Sequence, residues 1–397
     1  MSETTTTTTT DLLGIDDLLS AQERDVRAAV RAVLDRRVDP FVAEWFERGE
    51  VSDLRDLAAE LGRLGLMGMH LQGYGCAGMS AVEYGLACLE LEASDSGIRS
   101  LVSVQGSLAM YAIRRYGSPA QRERWLPAMA AGTTLGCFGL TEPDQGSDPA
   151  GMRTRARRDG GHERADWLLD GRKAWITNGS VADVAVVWAQ TEHGIRGFLV
   201  PTDTRGFTTT VIRHKLSLRA SVTSELALDG VRLPHDAVLP GATGLGGPLS
   251  CLNEARYGIV WGAMGAARTA FESARKYAVQ RRQFGRPVAG FQLTQAKLAM
   301  MAQELGLGSL LALHLGRRKD LGTLRPEQVS LGKLNNVTKA LEICRTARTI
   351  LGANGISLEY TVIRHMANLE SVLTYEGTPE MHTLVVGQAL TGISAFR

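Results

Sequence analysis

Cysteine is scarce in this chain: five in 397 residues, at positions 76, 88, 137, 251 and 344, with no CxxC pair among them. An odd count at wide spacing argues against a disulfide framework and against a zinc site, and predicts buried free thiols in a reducing cytosol. No metal is expected. Net charge is scarce too. Forty-four Lys and Arg against 42 Asp and Glu leave +2, too balanced for bulk attraction to nucleic acid or an anionic membrane. No apolar run approaches the ~20 residues of a bilayer span, so no membrane insertion is expected. The start, "MSETTTTTTTDLLGIDD", lacks the basic-then-apolar pattern of a secretory signal and the Arg-rich pattern of a transit peptide. These absences together predict a cytoplasmic protein. The threonine run is of low complexity and predicts a disordered tail over residues 1–15.

What is present reads as soluble and globular, at 44% hydrophobic and 22% charged residues. The length suffices for two or three domains. Over residues 16–136 the pattern is helical. Val26, Val30 and Val33 recur at helical spacing, Ser20 precedes Glu23 at a capping-box spacing, and Pro119 suits a first helical turn. Over 137–248 short β-rich runs such as "DVAVVWAQ" alternate with turn chemistry, with Asp170-Gly171 and Asp229-Gly230 as hairpin signals. Over 249–397 long helical patterns return. Ala and Gly crowd "ARYGIVWGAMGAA", which predicts close helix–helix packing.

The most informative stretch is "CFGLTEPDQGSDP", 137–149, where helix gives way to strand. Leu140-Thr141 and Gly146-Ser147 offer N–H groups and hydroxyls beside turns, suited to a planar cofactor's edge or a polar tail. On composition alone the stretch is also an ordinary linker. With "KAWITNG", "ARYGIVWGAMG", "YAVQRRQFG", "LGANGI" and "YEGTPE", it resembles the successive signatures of the acyl-CoA dehydrogenase family, in family order, from about Leu12 to Arg397. "GYGCAGMSAVEYG", "DSGIRSLVSVQGSL", "KLSLRASVT" and "LTYEGT" resemble the branch acting on glutaryl-CoA, whose distal carboxylate calls for an arginine.

The resemblance implies an α+β multidomain fold: a helical N-terminal domain, a middle β-barrel and a C-terminal four-helix bundle. It implies a homotetramer with one FAD per subunit, and an electron-transferring flavoprotein as electron acceptor. Glu376 would be the base that removes the α-proton of an acyl-CoA. Taken alone, it is also a helix-start carboxylate favoured by the dipole. Gly377 would admit substrate closely to the backbone. Phe138, Leu140 and Thr141 would line the flavin edge, Trp175 would pack on the ring, and Thr177 would bond its N5. Ser147 would contact the CoA tail near FAD. Arg281, Gln283, Phe284 and Gln292 would hold a partner subunit's FAD, Gly352 would be a further cofactor contact, and Thr378 and Glu380 would complete the FAD contacts. Ala353-Asn354 between two glycines, and Pro379, depart from the family pattern. Leu252, Asn253 and Arg256 would sit at the CoA end.

The branch-specific set is Glu92, Arg99, Ser100 and Tyr375, with Arg99 gripping the distal carboxylate and Ser100 assisting. Glu92 and Arg99 also read as a structural ion pair about two helical turns apart. The expected activity is α,β-dehydrogenation of glutaryl-CoA with decarboxylation to crotonyl-CoA. Two rivals remain: a biosynthetic relative oxidising another carboxylated or substituted thioester, and a non-catalytic flavoprotein or acyl-thioester carrier.

Overall fold

Ser20 starts the first long helix. Its hydroxyl accepts the Glu23 N–H at 3.2 Å while the Glu23 carboxylate accepts the Ser20 N–H at 2.8 Å, the reciprocal box their spacing predicts. In this computed structural model, which describes residues 11–160, 162 and 164–396, α1 runs Ala21–Arg37 and is followed by α2 (Val42–Arg48) and α3 (Leu54–Arg63). The first ten residues of the expected disordered tail lie outside the described residues. Residues 11–15 depart from that expectation. The Asp11 carboxylate accepts the N–H groups of Ile15 and Asp16, each at 3.0 Å, and starts a 3₁₀ turn over Ile15–Leu18. A short hairpin, β1 (Gln72–Gly73) with β2 (Cys76–Ala77), precedes α4 (Ala81–Ser94), which is buried along its length. After Asp95 comes α5 (Ser96–Ser103), then a π-helical turn over Val104–Met110, α6 (Tyr111–Tyr116) and α7 (Pro119–Ala130), whose first residue is the expected proline.

The middle region is one seven-stranded mixed sheet. Its strands are β3 (Gly136–Gly139), β4 (Arg155–Arg158), β5 (Trp167–Thr177), β6 (Val184–Thr191), β7 (Gly194–Pro201), β8 (Phe207–Val211) and β9 (Thr223–Leu233). The order is β3-β6-β4-β5-β9-β8, with β7 also paired to β6. Strand β6 pairs with β3, β4 and β7; its Val184–Ala189 run is buried on both faces, as a continuous apolar run requires. The two Asp-Gly pairs are not hairpin turns. Both lie inside strands, β5 and β9, where the ladder shifts register between Leu169 and Gly171. Gly171 takes φ +151° and leaves no room for a Cβ against Thr154, and the Asp170 carboxylate accepts the Gly230 N–H at 2.8 Å. The same Gly chemistry that makes turns also makes bulges.

Helix α8 (Gly246–Gln280) crosses the whole C-terminal region and is followed by a hairpin, β10 (Arg282–Gln283) and β11 (Arg286–Pro287). Then come α9 (Gln292–Asp320), α10 (Pro326–Leu351), α11 (Thr361–Thr374) and α12 (Pro379–Thr391). Helices α8 to α11 form the four-helix bundle; α12 packs on α10, and α8 also packs on α4. The expected close approach is explicit: a Cβ on Gly265 would lie 1.9 Å from the Leu89 carbonyl oxygen of α4. One expectation needs correction. Helix α9 is long and apolar enough to cross a membrane by length and composition, although no unbroken apolar run stands out in the sequence. Single polar residues such as Glu304 interrupt it without lowering its mean hydropathy much. Within the fold α9 packs against α8, α10 and α4.

Candidate active site

Tyr375 closes α11, and Thr378 caps α12 by accepting the Met381 N–H at 3.4 Å. Glu376 and Gly377 form the corner between the two helices. Glu376 therefore precedes its helix rather than starting it. Its backbone takes φ +54° and that of Gly377 φ +103°. A glutamate in the left-handed region is strained by about 1–3 kcal/mol and persists only where the surroundings compel it. Four cations and acids converge on this corner from separate elements. Arg99 comes from α5, Glu92 from α4, Arg256 from α8 and Lys333 from α10. Arg99 is 1% exposed and Glu92 0%; Arg99 Nε donates to Glu92 Oε2 at 2.8 Å and Arg99 Nη2 donates to the Tyr375 hydroxyl. Ser100, next along α5, is buried.

The start of α5 is fixed from outside. Asp95 accepts the Gly97 N–H at 2.6 Å, the Asn368 Nδ2 at 2.9 Å and the Arg364 guanidinium, so α11 holds the helix that carries Arg99. Around Glu376 the electrostatics are opposed. Burial raises the carboxyl above the ordinary glutamate range, and Arg99, Lys333 and Arg256 pull it back only in part. Burial likewise pushes the Tyr375 hydroxyl up, so it stays a neutral phenol that accepts from Arg99. Glu376 Oε2 is buried and makes no hydrogen bond to a described residue. A buried carboxylate oxygen without a donor is a poor structural element and a competent base.

The expected substrate-end residues lie beside this corner. Arg256 Nε donates to the Glu376 carbonyl at 2.6 Å, and its Nη1 reaches Asn253 Oδ1 at 3.3 Å, one turn back on α8. Leu252 is half-buried next to Asn253. Gly377 has no room for a side chain, since a Cβ would come within 2.8 Å of His382 Nε2.

The cofactor set divides into separate groups. Phe138 and Leu140 are buried, and Thr141 accepts the Ala174 N–H at 2.9 Å, so the two expected flavin segments meet along β5. A register shift in the β5–β9 ladder between Lys173 and Ile176 throws Trp175 outward at φ +61°, leaving it 61% exposed. A tryptophan displayed at such a bulge suits the face of a planar ring, and Thr177 lies two residues on. Thus the residues present fit FAD. Ser147 is exposed on the loop after Thr141. A second group, Arg281, Gln283 and Phe284, occupies the β10–β11 hairpin, with Gln292 starting α9. Phe284 sits at the hairpin tip at φ +50°, 94% exposed, in edge contact with Phe291 at 6.2 Å between centroids. Gly352 ends α10 and Glu380 is exposed in the first turn of α12.

Three contributors escape sequence reading. Lys333 Nζ donates to the carbonyls of Tyr375 and Gly377, the latter at 2.7 Å. His382 packs behind Gly377. Lys173, fully buried, donates to Glu142 at 2.8 Å and to the Leu140 carbonyl at 3.1 Å, while Glu142 accepts the N–H groups of Arg153 and Thr154 at 2.6 and 2.9 Å. That pair fastens the loop bearing Thr141 and Ser147. The available signal for Lys333 was its register: a lysine on the same stripe as Val329, Val337 and Ala340.

Comparison with known proteins identifies the family. The acyl-CoA dehydrogenase N-terminal, middle and C-terminal domains match residues 20–133, 137–231 and 242–391. A solved glutaryl-CoA dehydrogenase from Mycobacterium smegmatis is 70% identical, with a TM-score of 0.95 over 98% of this chain and 99% of that one. Another from the same organism, solved in complex with FADH2, is 63% identical, with a TM-score of 0.95 over 97% and 98%. The human mitochondrial short-chain specific acyl-CoA dehydrogenase is 35% identical over 335 residues, 82% of this chain and 80% of that protein. The chain belongs to the acyl-CoA dehydrogenase family and is an FAD-dependent oxidoreductase of acyl-CoA thioesters.

Proposed function

We propose that this enzyme oxidises glutaryl-CoA and decarboxylates the product to crotonyl-CoA. The observation that carries the reading is Arg99, a buried guanidinium on the side of the corner facing Tyr375 and Glu376. Arg99 has five N–H donors; its bonds to Glu92 and Tyr375 engage Nε and Nη2. The rest of its fork is suited to a ligand carboxylate.

Glu376 removes the α-proton and becomes neutral, a state that its burial favours. Bound FAD supplies the acceptor for the β-hydride. Phe138, Leu140, Thr141, Trp175 and Thr177 would hold its ring. In the resulting glutaconyl thioester the bond to the distal carboxyl breaks, CO2 leaves, and the electron pair enters the conjugated thioester. Glu376 then returns its proton to the γ-carbon. Tyr375, kept neutral beside Arg99, orders that end of the site. Arg256, Asn253, Leu252 and Ser147 would face the CoA portion.

Re-oxidation needs an acceptor, for which we propose an electron-transferring flavoprotein. A homotetramer agrees with the exposed Leu293, Met300, Leu390 and Phe284, with the Arg281–Phe284 hairpin and Gln292 serving FAD across an interface and Gly352, Thr378 and Glu380 completing the FAD contacts. Five free cysteines agree with a cytoplasmic setting. The test is product analysis with glutaryl-CoA: crotonyl-CoA and CO2 in equal amounts are expected. Glutaconyl-CoA accumulating instead would restrict the reading to oxidation of a carboxylated thioester.

A further inference from the structure

Lys333 lies on the buried stripe of α10 and is 1% exposed. Burying an ammonium is unfavourable unless acceptors replace its water. Here the acceptors are main-chain carbonyls. Lys333 Nζ donates to Tyr375 O and to Gly377 O, the second at 2.7 Å. The carbonyl between them, that of Glu376, takes Arg256 Nε at 2.6 Å. Three successive carbonyls thus point at two cations brought in by α10 and α8. Glu376 Oε2, in the carboxylate that Lys333 neighbours, accepts no hydrogen bond from a described residue. Burial, with Arg256 and Arg99 adding and Glu376 opposing, brings its pKa down to about 7, so the fold tolerates an unfavourable cation at this point.

Peptide geometry gives this arrangement a consequence. No described peptide bond is cis. In a trans peptide the carbonyl and the following N–H point in opposite directions. Turning the Tyr375 carbonyl toward Lys333 therefore turns the Glu376 N–H away from it. The bonds at 375 and 377 also straddle the residue held at φ +54°, and so fix where its side chain leaves the backbone.

We propose that Lys333 is a positioning residue for α-proton removal: by holding the Tyr375 and Gly377 carbonyls it sets the direction of the Glu376 carboxylate and of the Glu376 N–H, which is left to meet the thioester oxygen. The proposal rests on Glu376 being the base. Lys333 is 1% exposed and makes its hydrogen bonds to main-chain carbonyls of the corner, through which it acts.

The test uses Lys333→Met in the FAD-loaded full chain. The probe is a 3-thia-acyl-CoA, which can lose its α-proton but has no β-hydride to give; its enolate over oxidised flavin absorbs at long wavelength. We expect Lys333→Met to keep its flavin, to lose most of that band, and to lose about 100-fold in kcat with KM changed little, the size of a misplaced donor or base. A band per bound flavin and a kcat both within about twofold of the parent would overturn the proposal, since those changes would be too small for a lost alignment. A lysine with a merely structural role would lower the melting temperature without changing the band per flavin. Glu376→Gln measured in parallel separates the two readings: if it keeps the band, the base assignment fails, whereas a band kept by Lys333→Met alone removes only Lys333. If Lys333→Met does not hold FAD, Lys333→Gln takes its place, with a weakened band expected and an undiminished one overturning the proposal.

Discussion

Arg99 and Glu92 form an ion pair 2.8 Å long with both side chains sealed from solvent, one on α5 and the other on α4. A pair this buried owes little to net Coulomb energy, because desolvating both charges offsets most of the attraction. Its effect is to hold a guanidinium where a ligand can use it. Removing one member leaves the other buried and unpaired. Glu92→Ala is therefore expected to destabilise the fold by about 3–5 kcal/mol, read as a shift in the denaturant midpoint. A shift under about 1 kcal/mol would mean that water or a repacked group replaces the carboxylate.

Arg99→Met should separate recognition from chemistry. We expect kcat/KM to fall at least about 100-fold with glutaryl-CoA, the order of a charge-assisted, two-pronged contact, and far less with butyryl-CoA. Equal losses on the two substrates would reduce Arg99 to a structural role.

Glu376→Gln should retain flavin and lose nearly all turnover, because an amide cannot accept the proton. As the proposed base, Glu376 must be ionised to take the proton. Its pKa is raised by burial from the ordinary 4.5, so activity should fail on acidification at a higher pH than an ordinary glutamate would give. A pH–kcat profile with an acid limb at or below 4.5 would contradict this.

Gly265→Ala tests the seam between the bundle and the N-terminal helices. Its Cβ would meet the Leu89 carbonyl oxygen at 1.9 Å and the Ala93 nitrogen at 3.0 Å, backbone that cannot rotate away. We expect a loss of about 1–3 kcal/mol from overpacking, seen in thermal melts. Because α4 also carries Glu92, a drop in glutaryl-CoA turnover should accompany it.

Two buried lysines and one half-buried lysine make stability depend on pH. Burial depresses Lys333 to about 7 and Lys173 and Lys215 each to about 8, from 10.5. Above these values the unfolded chain binds protons that the folded chain has released, so stability should rise as pH increases from about 7 to 8.5. Beyond that the buried thiols, with values pushed up, act in the opposite sense. Urea midpoints across this window measure the slope, and Lys333→Met should flatten it.

Much of the site was legible because its parts are local. The Glu376-Gly377 corner and the Ser20–Glu23 cap each involve residues close in the chain, where side-chain type and interval already limit the geometry; Glu92 and Arg99 do pair, but across a break at extended Asp95 rather than along one helix. The Trp175 and Thr141 segments were legible as motifs, though not the bulge that turns Trp175 outward. Other features were illegible because they pair distant residues. Lys333 meets carbonyls 42 and 44 positions away, and Asp95 meets α11 some 270 residues on. Asp170-Gly171 carries turn chemistry, yet its partner strand makes it a bulge.

Helix and strand content and the three-part order were set by local pattern and residue chemistry, and Glu376 was singled out as the proposed base by the family resemblance of its motif. Which cation meets which carbonyl, and how deeply each charge is buried, emerged on packing α4, α5, α8, α10 and α11 around one corner. Burial and long-range hydrogen bonding are properties of that assembled interior, and no interval along the chain encodes them.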